Sequence, residues 1–175
     1  MHRAALLAQN NSDGMIPEVK VAHELILEQC KTEDLSPPLI PRFPVRIELN
    51  RFASALAKGE TSSLLAYILA LVKRRCDREI LADDLRGWLS SYPWLLALDG
   101  LDEVPASSNR TDVLQKIDDF LIDAQECNAD LLIIATSRPQ GYNDDFTEKY
   151  YCHLMLAPLS TANALHYAER LISRR

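Results

Sequence analysis

Asp99, Asp102 and Glu103 place three carboxylates within five positions, directly behind an apolar run. Carboxylates this close repel one another unless a positive charge lies among them, and a hydrated Mg²⁺ bridged to phosphate oxygens is a natural candidate. Gly100 gives the backbone the freedom to turn between them. The same residue types also serve as ordinary turn and capping groups after a strand, because their side chains bond nearby backbone N–H groups. Further along, Thr136, Ser137 and Arg138 bring two hydroxyls and a guanidinium to the end of a second apolar run. Arg138 suits either a terminal phosphate or a salt bridge to the acids.

These groups need elements to carry them. Trp94 to Leu98 is five apolar residues in a row behind a Ser90-Ser91-Tyr92-Pro93 break, too short for a helix, and predicts a strand buried on both faces as in a parallel sheet. Leu131 to Ala135 predicts a second doubly buried strand. Between them, Asn109 is the expected N-cap, with Asp112 three positions on, of a helix running to about Cys127 with Val113, Leu114, Ile117, Phe120 and Leu121 on one side. Strand, helix and strand make a βαβ unit, and its right-handed crossover sends both strand tips to one edge. Asp99 and Arg138 should then face a shared crevice, where open α/β sheets take their ligands.

Around this unit, Val45 to Leu49 alternates apolar and polar and predicts a strand near the sheet edge with one wetter face, followed by a loop at Asn50-Arg51-Phe52. Four prolines between Leu35 and Pro44 mark an extended connection before it. Helical spacing predicts helices over Pro17 to Lys31, Ser63 to Arg75 with Thr61 or Ser62 as cap, Arg78 to Ser90, and Ser160 or Thr161 to Ser173. Lys73, Arg74 and Arg75 suit the negative end of a helix dipole. Ala4 to Gln9 predicts a short helix, Gln140 to Tyr150 a polar loop or frayed helix, and Cys152 to Leu156 a last strand.

The chain has 175 residues, 47% hydrophobic and 25% charged, with a formal net charge of −6, which argues against a general nucleic-acid surface. Cys30, Cys76, Cys127 and Cys152 are widely spaced and predict reduced, buried thiols in a cytoplasmic protein rather than a metal site. The four histidines are scattered, which predicts surface or satisfied core residues rather than ligands. No apolar run is long enough to span a bilayer, and the apolar start is too short for a signal peptide.

The run Leu95-Leu96-Ala97-Leu98-Asp99-Gly100-Leu101-Asp102-Glu103 resembles the extended Walker B motif of NACHT-type NTPase domains, the STAND class of P-loop signalling ATPases. Ile133-Ile134-Ala135-Thr136-Ser137-Arg138-Pro139 resembles that family's sensor 1 strand, and the likeness spans roughly residues 35 to 172. The resemblance implies a three-layer α/β fold with a mainly parallel sheet of about four strands, residues 35–175 forming the NTPase core and 1–34 a helical remnant before it. It also implies ATP and Mg²⁺ as cofactors. Asp99 would hold the metal, Glu103 with Asp102 beside it would act on the attacking water, and Arg138 with Thr136 and Ser137 would meet the nucleotide. A Mg-dependent ATPase of this kind is a signalling switch that couples nucleotide state to protein assembly or self-association. The chain departs from the family in one respect: it has no G-x-x-x-x-G-K-[ST] run to cradle phosphates. Residue 1 is therefore expected to fall just after the phosphate loop and first strand, and the chain alone to bind ATP weakly or not at all. A degenerate, non-catalytic interaction module that keeps the fold is the alternative.

Overall fold

The structure, a computed structural model, describes residues 17–36, 40, 42–76, 78–105 and 109–172. The helix expected over Ala4 to Gln9 lies outside the described residues. The chain divides into two compact units, Met1–Asn143 and Asp144–Arg175.

The first unit is an α/β structure built on three parallel strands: β1 (Phe43–Glu48), β2 (Trp94–Asp99) and β3 (Leu131–Ala135), in the order β1-β2-β3. Its helices among the described residues are α1 (Pro17–Thr32), α2 (Leu49–Ala57), α3 (Leu64–Lys73), α4 (Ala82–Ser91) and α5 (Arg110–Glu126). β2 is central, as its apolar run requires, and β1 is an edge strand, where Pro44 costs no ladder hydrogen bond. Register aligns Phe43 with Trp94, Val45 with Leu96 and Ile47 with Leu98 on one face, and all but Phe43 of these six are buried. At the amino end, the rings of Phe43, Trp88 and Trp94 pack with centroids 4.0 to 5.3 Å apart, and the Trp94 indole donates to the Trp88 carbonyl.

The opposite face corrects the expectation of two doubly buried strands. Arg46, Ala97 and Ile134 lie on it, and Leu132 and Ile134 are 47% and 50% exposed. Leu131 and Ile133 are half-buried on one face of β3, and among the described residues no helical layer closes the other face over Leu132 and Ile134. The periodicity of Leu131-Leu132-Ile133-Ile134 could not report this, because an all-apolar run reads the same whether one face or both are covered.

Helix boundaries follow local chemistry. The Ser63 side chain, rather than Thr61 or Ser62, caps α3 by accepting from the Ala66 N–H, and Lys73 closes its last turn. Asn109 does precede α5 but makes no cap bond; its amide donates to the Ala53 carbonyl and so ties α5 to α2. The segment expected as a loop after β1 is the helix α2, whose Leu49, Phe52, Ala53 and Leu56 have helical spacing that the polar pair Asn50-Arg51 obscured. Among the thiols only Cys30 is buried; Cys76 and Cys152 are exposed, and all four are free. His23 is buried on α1, and its Nδ1 has no partner among the described residues.

In the second unit, α6 (Thr161–Ile172) is capped by the Ser160 hydroxyl, which accepts from the Asn163 N–H. Phe146 packs edge-on to Tyr151, with centroids 5.0 Å apart. Cys152 to Leu156 forms no strand, contrary to expectation: Leu154, Met155 and Leu156 are 89%, 90% and 95% exposed. Alternation and apolarity favour a strand only where a neighbour can take up the backbone N–H and C=O groups, and among the described residues no strand pairs with this segment. Among the described residues no helix is long and apolar enough to cross a membrane.

The asymmetry of the sheet has a measurable consequence. Leu98→Ala, which empties a fully buried position, should lower unfolding free energy by about 2–5 kcal/mol. Ile134→Ala on the open face should cost less than half as much, as read from urea denaturation of both variants.

Candidate functional site at the strand tips

Parallel pairing of β2 with β3, Leu98 beside Ala135, brings the acid turn and the Thr136-Ser137-Arg138 segment to one edge. Thr136 is the hub. Its N–H donates to the Leu98 carbonyl at 2.9 Å and its carbonyl accepts from the Leu101 N–H at 3.0 Å, which extends the ladder past the last paired residues. Its hydroxyl donates to Asp99 Oδ1 at 2.8 Å and accepts from the Gly100 N–H at 3.1 Å. Gly100 adopts φ +78°, a left-handed conformation that side-chain-bearing residues avoid, and so turns the chain into the short 3₁₀ segment Leu101–Glu103.

The three acids part company there. Asp99 is bonded from β1: Arg46 Nε and Nη2 both donate to Asp99 Oδ2, at 3.0 and 2.6 Å. Asp102 turns toward the segment after β3, where its Oδ1 accepts the Arg138 N–H at 3.1 Å and its Oδ2 is 3.5 Å from Arg138 Nε. The Arg138 side chain is 78% exposed against 13% for Asp102, so this contact positions the loop more than it confines the guanidinium. Glu103 Oε2 accepts from the Asn50 amide at 2.9 Å at the start of α2. The Ser137 hydroxyl bonds the carbonyl of its neighbour Arg138, and no bond joins it to the acids. Of the residues singled out in the sequence, hydrogen bonds join Asp99 to Thr136 and Asp102 to Arg138 as two separate pairs; Glu103 shares the turn but bonds elsewhere.

Arg46, Asn50 and Arg110 also bond at this edge, although no local motif in the sequence marks them. Arg46 is, with Glu48, a polar member of the β1 alternation, and its role depends on β1 lying beside β2, which no local pattern announces. Arg110 is 5% exposed and reaches the Val104 and Gly141 carbonyls at 3.3 and 2.8 Å, tying the acid turn to the 3₁₀ segment Pro139–Gly141. These two short segments touch so closely that a Cβ on Gly141 would stand 2.5 Å from the Asp102 Cβ.

Electrostatics follow the contacts. The Thr136 hydroxyl, then the Arg46 guanidinium, hold the Asp99 carboxyl below its ordinary value, and the Asp99 partnership raises Arg46 in turn. Both Asp99 oxygens are therefore engaged by protein donors, and the cation beside them is Arg46. As arranged, this donor set does not fit a Mg²⁺ at Asp99. Among the described residues no group of three or more His, Cys, Asp and Glu side chains is placed to hold a metal ion. No protein-family model, curated protein or solved structure matches this chain.

Two outcomes are expected. Because the folded-state pKa of Asp99 is depressed, its stabilising contribution is present above the ordinary aspartate value of about 3.9 and is lost as pH falls through the lower folded value. The stability gap between wild type and Asp99→Asn should accordingly be constant at neutral pH and shrink below about pH 4 in pH-dependent urea unfolding. Gly141→Ala should force the two 3₁₀ segments apart and lower Tm, while Gly87→Ala, with open space around it, should leave Tm unchanged or raised.

Proposed function

We propose that these residues supply the acid strand and the sensor strand of a NACHT-type domain of the STAND class, a cytoplasmic nucleotide-dependent switch, and do not by themselves form a working ATPase. The observation that carries this reading is the delivery of Asp99, Asp102, Thr136 and Arg138 to one edge by two adjacent parallel strands. That edge is where open α/β sheets accept ligands, and carboxylates flanked by a hydroxyl and a guanidinium are the residue types that phosphoryl-transfer sites use. Coupling of nucleotide state to assembly with protein partners or further copies belongs to the same proposal.

The chain on its own is expected to bind Mg·ATP weakly or not at all. No glycine-rich phosphate cradle occurs in its 175 residues, and in such a loop backbone N–H groups cradle the phosphates while its lysine reaches the β and γ groups. One observation favours a second reading, a non-catalytic interaction module that keeps the fold: Arg46 already neutralises Asp99. Reading the coding sequence upstream of Met1 separates the two, since an in-frame G-x-x-x-x-G-K-[ST] supports the switch and its absence supports the module.

Calorimetric titration of this chain with Mg·ATP should give no saturable heat, corresponding to a Kd weaker than about 1 mM. Micromolar affinity would overturn the account of an incomplete site.

A further inference from the structure

The acid turn needs a positive charge, and β1 provides one. Arg46 is the register partner of Ala97 on the half-open face, and from there its guanidinium reaches two residues along β2 to Asp99. Two N–H groups converge on Oδ2 while the Thr136 hydroxyl takes Oδ1. One carboxylate thus joins the carboxyl ends of β1 and β2 to the residue that follows β3. A planar guanidinium bonded through two N–H groups matches a carboxylate in both charge and geometry. Mg²⁺, by contrast, gives up its water reluctantly and requires near-octahedral oxygen ligands. With one oxygen held by the fork and the other by the hydroxyl, a divalent ion at Asp99 would have to displace a cation already in place.

We infer that Arg46 is the resident counter-ion of Asp99, so that Asp99 acts in this chain as a clamp across three strand tips instead of as a metal ligand. The inference goes beyond the nucleotide reading and does not depend on it, because the clamp operates whether or not a longer protein binds ATP.

The test uses Mn²⁺ alone, without nucleotide, and follows paramagnetic broadening of the Gly100 and Thr136 amide signals in two-dimensional NMR spectra of the wild type, Asp99→Asn, Arg46→Lys, Arg46→Gln and the Arg46→Gln/Asp99→Asn double variant. Wild type and Arg46→Lys should show no broadening that depends on Asp99 at low millimolar Mn²⁺. Arg46→Gln, which frees one carboxylate oxygen and removes the positive charge, should bind Mn²⁺ at least about tenfold more tightly, a difference of about 1.4 kcal/mol. The double variant should lose that gain. Asp99-dependent broadening of the wild type at micromolar Mn²⁺, or an Arg46→Gln chain that binds no better than wild type, would overturn the inference. The spectra report folding of each variant directly, and if Arg46→Gln does not fold, the comparison of wild type with Asp99→Asn still decides. ATP plays no part in the measurement, so a failed nucleotide reading and a failed clamp give different results.

Discussion

Everything at the carboxyl edge depends on the two parallel hydrogen-bond ladders that hold β2 between β1 and β3. Side chains alternate along a strand, so a slip of one residue in either ladder would exchange the two faces. Trp94, Leu96 and Leu98 would then leave the core, and Asp99 would lose its place opposite Thr136. Burial of the first three, each essentially inaccessible to water, specifies the register. The polar contacts at the tips are a consequence of that apolar choice. Thr136 continues the β3 ladder by backbone bonds to Leu98 and Leu101, and its hydroxyl is thereby delivered to Asp99.

Two arginines, Arg42 at the start of β1 and Arg46 within it, work at opposite ends of the sheet. Arg42 reaches Asp130 at 2.7 Å and the Trp94 carbonyl at 3.2 Å, where β2 and β3 begin. Arg46 reaches Asp99, where β2 ends. Single exposed ion pairs contribute little to stability, since water screens them and holding long side chains costs entropy. What this geometry contributes is placement: the edge strand is anchored at both ends to its neighbour, and the acid turn acquires a definite direction. Asn50 and Arg110 extend the arrangement by holding Glu103 and the Val104 carbonyl, so that each acid points to a different element. The three carboxylates are kept apart by separate partners, which relieves the repulsion that their sequence spacing implies.

The sheet leaves apolar surface uncovered. Leu132 and Ile134 on β3 meet water on one face, and no strand lies beyond β3 among the described residues. Unpaired strand edges with apolar, uncharged side chains favour association in general. Beyond Asn143 the exposed Leu154, Met155 and Leu156 form an extended apolar stretch without a ladder. β3 has its ladder to β2 on one edge, whereas Leu154 to Leu156 pair with no strand among the described residues.

Sequence pattern alone determined the parts of this protein governed by local physics. The apolar run before Asp99, the glycine that turns the chain, the amphipathic spacing of the helix between the two strands, and the strand-helix-strand order were all legible, and with them the common edge of Asp99 and Arg138. The alternation of Val45 to Leu49 likewise announced an edge strand with one wetter face, although Leu49 itself opens the following helix. Only the tertiary structure decided that β1 lies beside β2, which made Arg46 the partner of Asp99, and that one face of β3 stays open. It also turned Asn50 and Arg51 into a helix start and left Cys152 to Leu156 outside any ladder among the described residues. The reason is physical: helix and turn signals are written over a few neighbouring residues, whereas strand pairing and burial depend on groups distant in sequence whose proximity no short window can encode.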